Sequence, residues 1–123
     1  MKKFSKNNLI VVAIVIVIVI IGIYYLYPGK SVDSQYDEFA QCLAEKKITM
    51  YGAVWCPWCN KEKAGFGTSF KYVPYVECPD NPQLCLSKGI DGYPTWIFPD
   101  GSKLVGYQEL KKLSELSGCP LTK

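Results

Sequence analysis

From Leu9 to Leu26 the chain runs LIVVAIVIVIVIIGIYYL, 18 residues without a charge. As a helix rising 1.5 Å per residue, such a run covers roughly 27 Å, close to the hydrocarbon thickness of a bilayer. It is apolar all round, so it offers no wet face to the surface of a soluble domain. Tyr24, Tyr25 and Tyr27 stand at its far end, where amphipathic rings favour the membrane interface. The preceding MKKFSKNN carries three lysines and no acid. Positive charge stays on the cytoplasmic side, which predicts a cytoplasmic N-terminus and an extracytoplasmic remainder. A cleaved secretory signal has a shorter apolar core and a small-x-small site, whereas YYLYPGK follows here. The expected organisation is a basic tail over 1–8, a transmembrane anchor over 9–27, a linker over 28–32 and one domain over 33–119. That is a single-pass cell-membrane protein, held in the lipid bilayer by its N-terminal helix, with its domain on the periplasmic or outer surface.

The charge of the chain narrows what this domain can do. Lys2, Lys3 and Lys6 account for the whole net charge of +3. From Lys30 onward 11 lysines face 11 acids, and there is no arginine. A neutral domain without arginine lacks the basic footprint of a nucleic-acid binder. The chain has no histidine, which excludes His-ligated metals, Ser-His or Cys-His catalysis and a histidine pH switch. Six cysteines in 123 residues point to an oxidising compartment or a metal site.

The pattern beyond the linker alternates helix and strand. Asp33 or Ser34 can cap a helix with Tyr36, Phe39, Ala40 and Leu43 on one face, ending near Lys46 and Lys47. Ile48 to Trp55 reads as a buried strand, and a helix weakened by Gly65 and Gly67 follows Cys59. Tyr72 to Glu77 is a second strand, with Pro74 arguing for an edge. Pro82 to Lys88 is a short helix closed by Gly89. Tyr93 to Phe98 and Ser102 to Val105 are strands joined by the turn Pro99-Asp100-Gly101. Gln108 to Ser117 closes the domain as a helix, with Leu110, Leu113 and Leu116 inward and Gly118 as its stop. The expected architecture is α/β: a mixed sheet flanked by helices, its strands parallel until the turn at 99–101 reverses the chain.

Cys56-Pro57-Trp58-Cys59 lies where a strand leaves the sheet and a helix begins. A helix start presents unpaired N–H groups and the positive end of its dipole, which favour a thiolate there. Pro57 suits a first helical turn, where its missing N–H is not needed. Cys56 is then the exposed nucleophile. Cys59, one turn on and more buried, is the thiol that closes the disulfide and releases the partner. The competing use of a C-x-x-C is half a zinc site. Structural zinc sites use two tight pairs, and Cys78 and Cys85 have six residues between them. No metal and no cofactor is expected.

The remaining four cysteines leave choices open. A Cys78–Cys85 bridge would staple a strand end to the next helix, stabilising by about 2.5 kcal/mol in the chain-entropy picture; the alternative is a second redox pair. A Cys42–Cys119 bridge would contribute roughly 4.5 kcal/mol. It requires the first and last helices of the domain to approach within the short Cα separation a disulfide allows. Two buried thiols or an intermolecular bridge are the other possibilities.

With these residues assembled, the stretch Tyr51 to Cys59 (YGAVWCPWC) resembles the thioredoxin superfamily's aromatic-x-Ala-x-Trp-Cys-x-x-Cys. Gly92-Tyr93-Pro94-Thr95 is similar to its cis-proline loop, and Gly101 to Gly106 with the Leu110/Leu113/Leu116 helix resembles its C-terminal hairpin and last helix. The segments Phe39 to Lys46 and Phe70 to Cys78 look like the thioredoxin-like domains fused to, or working with, bacterial homologues of vitamin K epoxide reductase. The resemblance implies a thioredoxin-like sheet, from which this chain departs by having no room for the first strand before its opening helix, a cis bond at Pro94, and an active-site surface of Trp55, Pro57, Trp58, Tyr93 and Pro94 around catalytic Cys56 and Cys59. It implies protein thiols and disulfides as substrates and a membrane thiol oxidase of the vitamin K epoxide reductase type as partner. Where cytoplasmic thioredoxins carry a buried acid, six residues before Cys56, this chain has Met50, which removes one candidate proton acceptor for Cys59. Two other functions fit the sequence: a tethered disulfide reductase for cytochrome maturation or repair, and a non-catalytic module with a structural disulfide or zinc at Cys56 and Cys59.

Overall fold

The computed structural model describes residues 5–27 and 35–122. The caps expected at Asp33 and Ser34, the linker, and Lys2 and Lys3 lie outside these residues. The chain divides into two compact units, Met1–Ser31 and Val32–Lys123. The first contains helix α1, Lys6–Leu26, which is long and apolar enough to cross a membrane.

The second unit is built from α2 (Asp37–Glu45), β1 (Thr49–Gly52), α3 (Pro57–Phe66), a 3₁₀ segment (Gly67–Tyr72), β2 (Tyr75–Glu77), α4 (Pro82–Ser87), β3 (Thr95–Ile97), β4 (Lys103–Val105) and α5 (Leu110–Ser117). The four strands form one sheet in the order β2-β1-β3-β4. Among the described residues no strand precedes β1. The first helix begins at Asp37, with Tyr36 in the cap position. Ser69 Oγ donates to Asp37 Oδ1 across 2.7 Å, so the first turn is anchored from the 3₁₀ segment.

Strand direction departs from the sequence expectation. β1 and β2 are parallel, but β3 is antiparallel to β1, as well as to β4. A parallel return needs a crossover long enough to carry the chain back along the sheet. Helix α4 has six residues, about 9 Å of rise. The chain therefore re-enters the sheet from the end at which β2 leaves it. The reversal happens at the segment before Pro94, one connection earlier than the 99–101 turn.

Alternation along the strands sorts the core into two faces. Met50 and Trp96 share one cluster with Phe39, Ala40 and Leu43 of α2, Cys59 and Phe66 of α3, and Leu113 of α5. Phe39 and Phe66 stack with ring centroids 5.6 Å apart. Tyr51, Cys78 and Cys85 form the other cluster, packed by Val76, Ile90, Tyr93 and Ile97. Helices α2, α3 and α5 thus cover one face and α4 the other.

This arrangement decides the long-range cysteine pair. Because α2 and α5 share a face, Cys42 and Cys119 approach to a Cα separation of 5.8 Å and are bonded. Lys46 Nζ also donates to the Ser117 carbonyl across 2.7 Å. Cys78 and Cys85 are bonded as well. The last helix corrects the expected inward face: Leu113 is fully buried and Ser117 buried, whereas Leu116 is 52% exposed. Ser117 follows Leu113 by four residues and stays on its face, while Leu116 has rotated toward solvent. Gly118 ends the helix in the left-handed conformation, φ 69°, which glycine adopts without steric cost.

Candidate active site

Strand β1 stops at Gly52, shorter than the run to Trp55 that the apolar pattern suggests. Cys78 N–H donates to the Gly52 carbonyl across 2.8 Å, and Cys56 N–H to that of Ala53 across 3.0 Å. The chain turns through Val54 and Trp55, and Cys56 becomes the N-cap of α3 in extended conformation, with Pro57 in the first turn. Cys59 N–H then donates to Cys56 Sγ across 3.3 Å. Asn60 Nδ2 donates to the Val54 carbonyl across 3.0 Å, tying the turn to the helix it precedes.

The two sulfurs are unbridged and both cysteines are buried. Cys56 is 5% exposed and Cys59 0%. The expected order of burial holds, but Cys56 is not the open side chain that a position at a helix start suggests, because it packs into the main core cluster. Trp55, 67% exposed, meets Tyr93 edge-on with centroids 5.8 Å apart. That contact brings the loop of Tyr93 and Pro94, whose peptide bond is cis, against the turn that carries Cys56. On the other side Trp58 lies 6.0 Å from Tyr107. Lys61 Nζ sits 5.1 Å and 4.4 Å from the two ring centroids, a cation over paired aromatic faces.

Burial pushes the Cys59 thiol up to about 12, and its interaction with Cys56 adds to the rise. The Ala53 backbone and the Lys63 ammonium act in the opposite direction. Cys59 is packed against Gly52 so closely that a Cβ on Gly52 would stand 2.9 Å from its Sγ. The same Cβ would be 3.2 Å from the Tyr75 ring and 3.3 Å from its hydroxyl. Tyr75 donates that hydroxyl to Glu77 Oε2. Glu77 Oε1 accepts from Val54 N–H across 2.7 Å, and Lys63 Nζ lies 3.8 Å from the Tyr75 ring centroid. Tyr75 is held far above the usual phenol range, first by burial, then by the Glu77 bond and charge, and then by Cys59 and Cys56.

A second carboxyl stands deeper on α3. Glu62 is buried, and its Oε2 accepts from Gln108 N–H across 2.7 Å. Its Oε1 and the Trp96 indole nitrogen have no hydrogen-bond partner. Burial raises the Glu62 carboxyl to about 7, against the opposing pull of the Gln108 N–H and, last, of the Trp96 N–H, which lies near the carboxyl without forming a full hydrogen bond. Among the described residues no three His, Cys, Asp or Glu side chains converge as metal ligands.

Beside the dithiol, Trp55, Pro79, Pro82, Leu86, Ile90 and Tyr93 line an open groove of about 440 Å³, floored by Cys78 and Cys85. Sequence reasoning named Trp55, Pro57, Trp58, Tyr93 and Pro94 around Cys56 and Cys59, and the structure brings them together. It did not find Gly52, Tyr75, Glu77, Lys63 or the Glu62–Gln108 contact. Tyr75 and Glu77 read as ordinary strand residues. Their alternate positions place them on one side of β2, but nothing local says which side chain they meet.

No protein-family model matches the chain. It is 41% identical over 81 residues to the thiol-disulfide oxidoreductase LTO1 of Arabidopsis thaliana, covering 58% of this chain and 21% of that protein. It is 31% identical over 93 residues to the thioredoxin domain-containing protein 5 homolog of Drosophila melanogaster, covering 65% and 22%. It is 33% identical over 82 residues to protein disulfide isomerase-like 2-2 of Oryza sativa, covering 55% and 22%. The crystal structure of a chloroplastic thioredoxin z superposes with a TM-score of 0.49 and 20% identity, over 67% of this chain and 86% of that one. The chain therefore spans about a fifth of the length of the curated relatives it matches, and its second unit is a mixed sheet flanked by helices with Cys56 and Cys59 at the start of α3.

Proposed function

We propose that the chain is a membrane-anchored thiol–disulfide oxidoreductase that exchanges disulfides outside the cytoplasm through Cys56 and Cys59. The observation that carries this reading is the unbridged pair at the start of α3, with the Cys59 N–H directed at Cys56 Sγ. In the oxidising direction a substrate thiolate attacks Cys56 Sγ of the Cys56–Cys59 disulfide, and Cys59 leaves with the electron pair. A second substrate thiolate then displaces Cys56. The substrate has gained a disulfide, and the two electrons rest on the protein dithiol. The chain's own regeneration needs an electron acceptor. A membrane thiol oxidase of the vitamin K epoxide reductase type, passing electrons to a quinone, fits a domain tethered at the bilayer surface. The likeness of Phe39 to Lys46 and Phe70 to Cys78 to domains that serve such oxidases supports this partner.

Substrate contact falls to Trp55, Trp58, Tyr93 and the groove beyond them. Trp55 and Trp58 are more than half exposed, and Leu86 at the groove's rim is 68% exposed. Such a surface suits apolar stretches of an incompletely folded chain, extended along the loop at Pro94.

The test is alkylation of free thiols in cells that carry the full chain, with and without a quinone-linked thiol oxidase. The expected result is a mostly oxidised Cys56–Cys59 pair that becomes reduced when the oxidase is absent. A pair that stays reduced in both strains identifies a reductase instead. Protease added to spheroplasts should remove the domain while leaving the anchor with the membrane; a protected domain would reverse the topology and exclude the partner.

A further inference from the structure

Cys59 has to lose a proton each time it attacks a mixed disulfide on Cys56, and it does so from a fully buried position. Water does not reach it, and Met50, the β1 residue that shares its core cluster, has a side chain that accepts no proton. The titratable and charged groups around Cys59 are Cys56 and Lys63 on its own helix and Tyr75 with Glu77 on β2. Of these, Tyr75 is packed with Cys59 against the same backbone carbon. The Cys59 sulfur and the Tyr75 hydroxyl both lie within 3.3 Å of the point where a Gly52 side chain would begin. The absence of that side chain is what lets them share the space.

We propose that Tyr75, held by Glu77, is the group through which Cys59 loses its proton when it attacks the Cys56 mixed disulfide. This rests on the reading of Cys56 and Cys59 as an exchanging dithiol. Tyr75 commits its own hydrogen to Glu77, which leaves the lone pairs of its oxygen to accept from a neighbouring thiol. Glu77 is only partly buried, so a proton that arrives there can pass to solvent. Val54 N–H fixes the other carboxylate oxygen, and the Lys63 ammonium over the Tyr75 ring faces the negative charge that develops on the sulfur.

The Cys59 thiol proton moves to the Tyr75 oxygen while the Tyr75 proton moves to the Glu77 carboxylate. The Cys59 Sγ–Cys56 Sγ bond forms, the bond from Cys56 Sγ to the substrate sulfur breaks, and the substrate leaves as a thiolate. Glu77 then releases its proton to water. In the opposite direction the same groups return a proton to Cys59 as it departs.

The experiment uses the full, reduced chain in detergent and the chromogenic disulfide 5,5′-dithiobis(2-nitrobenzoate). One coloured thiolate is released when Cys56 attacks the reagent, and a second when Cys59 displaces the reagent's other half from Cys56. Tyr75→Phe keeps the ring and its packing against Phe70. It should leave the first release unchanged and slow the second on the order of 100-fold. The slowed phase should also become proportional to hydroxide concentration, while the wild-type phase depends on pH less steeply. Glu77→Gln should slow the same phase, and the double variant should be no slower than Tyr75→Phe alone. A second release at the wild-type rate in either variant overturns the proposal. So does an equal slowing of both releases, or a slowed second phase with the wild-type pH profile, since either marks a packing role. A wild-type chain that releases a single thiolate would remove the exchanging dithiol itself, a different failure and visible before any variant is made.

Discussion

The backbone N–H of Gln108 donates to Oε2 of Glu62 across 2.7 Å, joining the helix that carries the dithiol to the segment leading into α5. Glu62 is buried, and its other oxygen is unpartnered. Folding therefore moves its carboxyl from an ordinary 4.5 up to about 7, chiefly by burial.

A raised carboxyl binds an extra proton in the native state between those two values. Stability contributed by protonated Glu62 is complete below about pH 4.5, falls as pH rises and is lost above about 7, a decline on the order of 3 kcal/mol. Asp100, lowered by Ser102, acts below its ordinary range and with the opposite sign, outside this window. Glu62→Gln should flatten the slope of unfolding free energy between pH 5 and 8, measured by denaturant titration of the full chain. A variant with the wild-type slope would show that Glu62 ionises normally.

Cys56→Ser should abolish insulin reduction and disulfide transfer while the far-ultraviolet spectrum stays native. Cys59→Ser should accumulate mixed disulfides through Cys56, because the resolving thiol is gone. Non-reducing gels of cells expressing each variant distinguish the roles. Trapping by Cys56→Ser in place of Cys59→Ser would exchange them.

The Cys42–Cys119 bridge has a sequence separation of 77. Replacing both cysteines by alanine should cost about 4 to 5 kcal/mol in the chain-entropy picture, read as a lower denaturant midpoint. Removing Cys78 and Cys85 together, a separation of 7, should cost about 2.5 kcal/mol. Equal losses would mean that local strain, rather than loop entropy, governs both.

Gly52→Ala places a methyl group 2.9 Å from Cys59 Sγ and 3.2 Å from the Tyr75 ring. Both neighbours are packed, and β1 is the strand on which β2 and β3 pair. A loss of about 1 to 3 kcal/mol is expected from overpacking. The same variant should slow disulfide closure, measured by the second thiolate release. Wild-type stability and kinetics would show that Cys59 has room to move.

The sequence alone determined those features whose cause is local. An uncharged run of 18 residues reads as a membrane-length helix because length and apolarity suffice for that inference. The position of Cys56 at a helix start was legible from an apolar strand before it and proline after it. So were the short helix opened by Pro82 and the stop at Gly118, since proline and glycine act on their own dihedral angles. Pro74 marked β2 as an edge, and it is one.

Tertiary structure decided whatever depended on two distant segments meeting. Strand direction at β3 follows from how far α4 carries the chain back, a length that only its packing on Tyr51 and Ile97 settles. Cys42 and Cys119 pair because α2 and α5 share a sheet face, and no local pattern states which face a helix takes. Leu116 points outward although its spacing from Leu113 permits either side. The surroundings of Cys59 are the clearest case. Gly52 on β1, Tyr75 and Glu77 on β2 and Lys63 on α3 come from three elements. They meet at one buried sulfur because the parallel register sets Gly52 beside Glu77 and Met50 beside Tyr75. Strand register is fixed by the packing of whole faces, so the chemistry around the resolving thiol became readable only once the sheet had formed.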